Sequence, residues 1–282
     1  MKVLLTGGTG FIGSHTYSKL LTRGYKAFLF KGDVRKMGDW EKNLEKEVDV
    51  VIHLAAVRAK TEKDFEGNVK GIENLFMAAQ RLNKLPKKVI LASSQAVYMG
   101  CKKPFKEDTK PKPTTIYGRS KLKAEKVAQK WSKKLEIPLI ILRYSTVLGP
   151  GVREKSGMSG PLIVWTRAGL AGESIRVLQD GKQTRDYIHV DDVVAANLLA
   201  VKKLPKGIYN VGGGKEIKLI EFAKWVKDAT GKKSEILIIG GKASSSDPRH
   251  LFSDTLKIES FGWRAEKTAK EAVCEFVKKQ KK

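Results

Sequence analysis

The run Lys2-Val3-Leu4-Leu5-Thr6-Gly7-Gly8-Thr9-Gly10-Phe11-Ile12-Gly13 constrains what this chain can fold into more than any other. Residues 2–5 are β-prone, residues 7–13 turn on glycine, and residues 14–21 carry a helical pattern. A strand that turns on glycines into a helix is the context in which such spacing binds a dinucleotide. In that arrangement Gly7 makes the tight turn, Gly10 lets the backbone approach a pyrophosphate, and Gly13 lets the helix pack closely. The helix N-terminus adds unpaired N–H groups and the positive end of its dipole.

The pattern continues downstream. Strand-like runs at 48–54, 88–93 and 138–143 alternate with helical runs at 68–82 and 117–134. Such alternation predicts an α/β fold, a doubly wound parallel sheet with helices on both faces. Past Gly149-Pro150-Gly151 the pattern loosens, with Gly157, Gly160 and Pro161 marking an irregular segment. Helices are then expected at 162–171, at 192–201 with Asp191 as N-cap, at 217–230 and from 268, with a strand at 209–212. The expected division is a dinucleotide-binding domain at 1–150 and a smaller C-terminal α/β substrate lobe at 151–282, with 181–212 crossing back to the first domain.

Composition sets the class. Of 282 residues, 41% are apolar and 30% charged, which suits a globular protein. Neither a signal peptide nor an apolar membrane span is evident, so a cytoplasmic location without membrane contact is expected. Cys101 and Cys274 lack metal-ligand spacing, which predicts reduced thiols and no metal. The formal charge is +25, and only twelve of the 55 basic residues are Arg. Either this is a solvated lysine-rich surface, or it is a field that attracts anions from nucleotides to RNA. No nucleic-acid-binding motif accompanies it, so nucleic acid is not the expected partner.

Two further residues give the glycine loop chemistry. Tyr117 and Lys121 lie four apart in Tyr-Gly-Arg-Ser-Lys, on one face of the predicted helix, with Ser94 at the end of an upstream strand. An ammonium beside a phenol favours the phenolate and lowers the tyrosine pKa. That would supply a proton-transfer group near neutral pH.

The order of motifs resembles the extended short-chain dehydrogenase/reductase family, in its NAD-dependent epimerase/dehydratase branch. It is carried by the glycine loop, His53-Leu54-Ala55-Ala56, Asn68-Val69, Ser93-Ser94 with Val97-Tyr98, and Tyr117 to Lys121. Arg143 with Gly149-Pro150, the run Gln183 to Asp192, Tyr209 to Gly212 and Phe261-Gly262-Trp263 complete it. The resemblance implies a Rossmann lobe, an NAD or NADP cofactor, a UDP- or dTDP-sugar substrate and a homodimer formed by the helices beginning near Asn68 and Thr115. It implies that Tyr117 is the acid/base, that Lys121 holds the nicotinamide ribose, and that Ser94 bonds the same sugar oxygen as Tyr117. Cofactor contacts would come from Gly7, Gly10, Phe11, Ile12, Gly13, Leu54, Ala55, Ala56 and Asn68, with Lys31, Asp33 and Val34 at the adenosine end. Substrate contacts would come from Ser94, Thr146, Arg185, Asp247 and Arg249. His189 and Asp191 are expected to be structural.

The chain also departs from the family. Gln95 and Ala96 stand where dehydratases place an acid pair, which argues against dehydration and decarboxylation. Lys31 replaces the ribose-binding acid after the second strand, and about a helix and a strand are missing before Asp33. Ser244 replaces a family arginine, Thr146 a substrate-facing asparagine and Met99 a glycine. The leading expectation is C4 epimerisation of a UDP-sugar. The alternatives are an NADPH-dependent keto-sugar reductase and, from another class, a dinucleotide sensor or RNA-associated binding protein.

Overall fold

The computed structural model describes residues 1–152, 160–241 and 249–281. In chain order the first half runs β1 (Lys2–Thr6), α1 (Phe11–Thr22), β2 (Lys26–Leu29), α2 (Met37–Leu44), β3 (Val50–His53), α3 (Glu62–Arg81), β4 (Lys88–Ser94), α4 (Ile116–Lys134), β5 (Leu139–Tyr144) and β6 (Thr146–Leu148). The second runs α5 (Gly160–Ala171), β7 (Ile175–Val177), β8 (Thr184–His189), α6 (Val190–Lys202), β9 (Gly207–Val211), β10 (Glu216–Lys218), α7 (Leu219–Thr230), β11 (Ile236–Ile238), α8 (Leu256–Glu259) and α9 (Ala269–Gln280).

Six strands form one parallel sheet in the order β2-β1-β3-β4-β5-β9. Successive strand residues point to opposite faces, and both faces are buried. On one face Val3, Leu5, Ile52 and Ile140 pack under α1 and α6 through Leu20, Val193 and Ala196. On the other, Leu4, Val51, Leu91 and Ile141 pack under α2, α3 and α4 through Trp40, Phe76 and Ala128. This is the doubly wound sheet that the alternation predicts. β9 and α6 come late in the chain yet belong to this layer system. A third apolar cluster joins Leu162, Trp165, Tyr187, Phe222 and Phe276 around the smaller sheets β10-β8-β6 and β11-β7.

Two helix starts differ from the sequence reading because of their caps. Helix α3 begins at Glu62, not near Asn68, because Thr61 and Asp64 close a reciprocal capping box. Asn68 therefore lies in its second turn. Helix α6 is capped by His189, whose ring nitrogen accepts from Asp191 N at 3.0 Å; Asp191 sits in the first turn instead. β2 is an edge strand and leads almost directly to α2, as the shortened sequence there implies. No helix among the described residues is long and apolar enough to cross a membrane.

Candidate functional site

Parallel strands send their carboxyl ends to one edge, where ligands bind in such sheets. A cavity of about 560 Å³ opens there. Its walls come from the segments after β1, β3, β4 and β5, the start of α4, and Leu251.

The glycine turn forms one wall. Gly7 has φ +68, and a Cβ on it would lie 2.8 Å from Ala55 N. Gly10 N donates to Gly7 O at 2.9 Å, closing the turn. A Cβ on Gly13 would lie 2.0 Å from Gly7 O, so only glycine lets α1 sit this close. Thr6 Oγ1 accepts from Ala55 N at 3.1 Å and bonds the His53 ring at 3.0 Å, tying the ends of β1 and β3 together. Asn68 clamps the next segment: it accepts from Val57 N at 2.9 Å, donates to Val57 O at 2.8 Å, and donates to Ser120 Oγ at 3.2 Å.

The opposite elements bring Ser94, Tyr117 and Lys121 onto the same cavity. Thr115 caps α4 by accepting from Gly118 N, which starts the helix just before Tyr117. Ser94 and Tyr117 share a hydrogen bond. Lys121 lies one turn on, 7% exposed, with Nζ 5.9 Å from the Tyr117 ring centre and 3.0 Å from Ala92 O, to which it donates. Burial lowers the Lys121 pKa to about 8, against the pull of Glu125. For Tyr117 burial raises the pKa, while the Ser94 hydrogen bond and the Arg58 charge pull it down. The expected depression by Lys121 is thus corrected: desolvation wins, and the cation that opposes it is Arg58. Behind these residues Glu125 accepts from Ser93 Oγ at 2.5 Å and from Arg143 Nε and Nη2 at 2.9 and 2.6 Å. That buried pair fixes the end of β4 against α4.

Of the residues expected from the sequence, Gly7, Gly10, Phe11, Ile12, Gly13, Leu54, Ala56, Ser94, Tyr117, Lys121 and Thr146 line the cavity. Ala55 and Asn68 shape it from behind. Lys31, Asp33 and Val34 stand outside its lining. Asp33 accepts from Arg35 N, Nε and Nη2 at 2.6 to 3.0 Å, and these bonds lower its pKa to about 2. Val34 turns its carbonyl to Trp40 Nε1 at 2.8 Å. Arg185 is buried, and its Nη1 donates to the carbonyls of Thr184 and Arg249 at 2.8 and 3.4 Å. The Arg249 guanidinium pairs with Asp180 at 2.5 Å. Neither arginine lines the cavity, because each serves the backbone or a carboxylate of the second lobe. Asp247 lies outside the described residues, as does Ser244. His189 and Asp191 tie α6 to α9 through Glu275 and Lys267.

Arg58, Lys60, Ser145 and Leu251 line the cavity without having been singled out. Arg58 and Lys60 follow His53-Leu54-Ala55-Ala56 directly, so their place after β3 was readable. Ser145 and Leu251 carry no local signal. Among the described residues no group of three His, Cys, Asp or Glu could hold a metal.

The model of the NAD dependent epimerase/dehydratase family matches residues 3–212. A putative UDP-glucose 4-epimerase of Methanocaldococcus jannaschii is 32% identical over 296 residues, which covers 96% of this chain and 95% of that one. The structure of a Thermotoga maritima UDP-glucose 4-epimerase with UDP-glucose superposes with TM-score 0.91 at 27% identity, covering 100% of this chain and 99% of the other. That of a Thermus thermophilus UDP-glucose 4-epimerase with NAD gives 0.87 at 28%, covering 99% and 98%. A family match from the glycine loop through β9, with a relative 32% identical over nearly all of both chains, means that this chain belongs to the NAD-dependent epimerase/dehydratase family.

Proposed function

We propose that this chain inverts C4 of a UDP-sugar through a 4-keto sugar, using NAD bound against the glycine turn. The observation that carries it is the meeting of Tyr117, Ser94 and Lys121 with the glycine turn on one cavity. The residues fit a dinucleotide, because Gly7 and Gly13 let the turn close tightly where a Cβ would strike the backbone of Ala55 or of Gly7. The helix N-terminus behind it points N–H groups and positive dipole at a diphosphate. The cofactor, when bound, accepts a hydride from the sugar carbon and returns it.

In this reading Tyr117 takes the proton of the sugar hydroxyl and gives it back to the keto oxygen from either face. Burial keeps the phenol protonated, ready to give; Ser94 and Arg58 favour the phenolate needed to take. Lys121 holds the ribose beside it, and Asn68 keeps the Val57 segment in place for the same pocket. Arg58 and Lys60 supply positive charge for diphosphate oxygens. NAD is favoured over NADP because the Asp33 carboxylate neutralises Arg35, the guanidinium after β2 whose charge would otherwise attract a 2′-phosphate. We assign cofactor binding to 1–150 with the 181–212 segment, and substrate binding to the remainder of 151–282. Dimerisation through α3 and α4 follows the family habit; exposed Glu62 and Glu66 on α3 complement Arg119, Lys123 and Lys126 on α4.

Interconversion of UDP-glucose and UDP-galactose with added NAD tests the assignment. Tyr117→Phe is expected to lower kcat by at least about 100-fold with NAD still bound. Undiminished turnover in that variant would refute it.

A further inference from the structure

The end of β4 meets α4 in three rungs. Residues 117, 121 and 125 lie one helical turn apart on one face of α4. Tyr117 bonds Ser94, Lys121 Nζ donates to Ala92 O at 3.0 Å, and Glu125 accepts from Ser93 Oγ at 2.5 Å. Tyr117 and Lys121 line the cavity, whereas Glu125 lies behind them, 1% exposed. Arg143 on β5 closes a fork on its carboxylate, through Nε at 2.9 Å and Nη2 at 2.6 Å. Arg143 Nη1 donates to the Tyr98 hydroxyl, which donates to Asn210 Oδ1 on β9 at 3.3 Å. The carboxylate is thus fixed from three strands, yet no proton-transfer step uses it.

Lys121 needs an anion nearby. An ammonium carries three protons. Among the described residues Ala92 O takes one of them, which leaves two for a ligand. Moving an ammonium out of water onto one neutral carbonyl favours the uncharged amine. Burial lowers the Lys121 pKa to about 8, and the Glu125 charge works against that fall. The other ionisable neighbours supply no anion. His53 on β3 is neutral above about pH 3, burial keeps Tyr117 a phenol, and Arg58 and Arg143 are cations.

We propose that Glu125, fixed by Arg143 and Ser93, is a positioning residue for Lys121: its carboxylate holds the lysine in the ammonium form and so keeps the cofactor ribose gripped through neutral pH. This rests on the dinucleotide reading above and deepens it by naming what regulates the grip. Glu125 stands outside the cavity lining and acts through Lys121. An ammonium gives stronger hydrogen bonds to ribose hydroxyls than an amine does. The grip therefore weakens as pH rises through the lysine pKa.

The test reads Lys121 itself. Acylation by acetic anhydride between pH 6 and 10 without NAD, followed by peptide mass spectrometry, gives the midpoint at which Lys121 becomes reactive. Exposed lysines in the same digests are the reference. The native midpoint is expected at about 8. Glu125→Gln should lower it by at least about 1 unit, and Glu125→Asp should keep it within about half a unit of the native one. Because Glu125→Gln leaves Arg143 a buried unpaired cation, the double variant Glu125→Gln/Arg143→Met, which lacks both charges, guards against misfolding and should shift the midpoint in the same direction. NAD affinity, read by calorimetry over the same range, should fall about 10-fold above the native midpoint, and that fall should move with the midpoint in each variant. A midpoint unchanged in Glu125→Gln and in the double variant overturns the inference, and so does a fall in NAD affinity that stays in place while the midpoint moves. A native chain that binds no NAD at any pH refutes the dinucleotide reading instead, and the labelling still decides what Glu125 does to Lys121.

Discussion

Asp33 and Arg35 are two residues apart, and their pairing changes what the loop after β2 offers a cofactor. The carboxylate takes four contacts from Arg35, about the number of acceptor sites it has. Arg35 gives its Nε and Nη2 to that carboxylate, and Lys31 is the exposed cation directly after β2. A 2′-phosphate at this loop would draw on Lys31. Lys31→Glu is therefore expected to weaken NADP binding by about 10-fold and to leave NAD binding within about 2-fold, as read by fluorescence titration. Equal changes for both cofactors would remove Lys31 from the subsite. At this scale the legible residues were those with a local pattern: Ser94 at a strand end, Tyr117 and Lys121 one helical turn apart. Arg185 was misplaced because its partners, the carbonyls of Thr184 and Arg249, are set by the fold of the second lobe. Asp186 was passed over for the same reason, since its donors come from residues 145, 213 and 253.

Among elements, the strand–turn–helix unit β1–α1 was the most readable because glycine positions report directly on backbone contact. The contact is closest at Gly13, where a methyl group would sit 2.0 Å from Gly7 O. Two effects of Gly13→Ala oppose each other. Alanine favours the helix by up to about 1 kcal/mol. Forcing a carbon against a fixed carbonyl costs about 1–3 kcal/mol or displaces α1 from the turn. The steric effect wins, so Gly13→Ala should lose at least about 10-fold in NAD affinity, with a lowered Tm. Gly38→Ala in α2 is the control, because a Cβ there meets nothing within 4 Å. Native NAD affinity in Gly13→Ala would mean that the turn does not carry the cofactor. Element ends were less legible. The start of α3 was written in Thr61 and Asp64, but the apolar periodicity is strong only from Asn68 on, so the capped first turn was left out. The cap of α6 is a histidine, which lies outside the usual N-cap residues.

The whole molecule encloses ionisable groups whose responses to pH oppose one another. Burial lowers the His53 pKa from 6.5 to about 3, with the Lys121 charge adding to the effect. Between those values the unfolded chain binds the proton and the folded one does not, so stability falls as pH falls from 6.5 towards 3. Asp186 runs the other way. Its pKa rises from 3.8 to about 6 in the fold, so the folded chain holds the extra proton in that window and stability grows as pH falls from 6 to 4. At about 1.4 kcal/mol per unit the His53 shift outweighs that of Asp186. Asp33, held near 2 by Arg35, acts only below that window: its contribution is present above pH 3.8 and lost as pH falls from there towards 2. Tm is therefore expected to drop between pH 6.5 and 4. Asp186→Asn removes the one opposing contribution among these three, so its Tm should drop more steeply over the same range. Differential scanning calorimetry of both proteins at half-unit steps measures the two slopes. Parallel curves would mean that Asp186 does not titrate between pH 4 and 6.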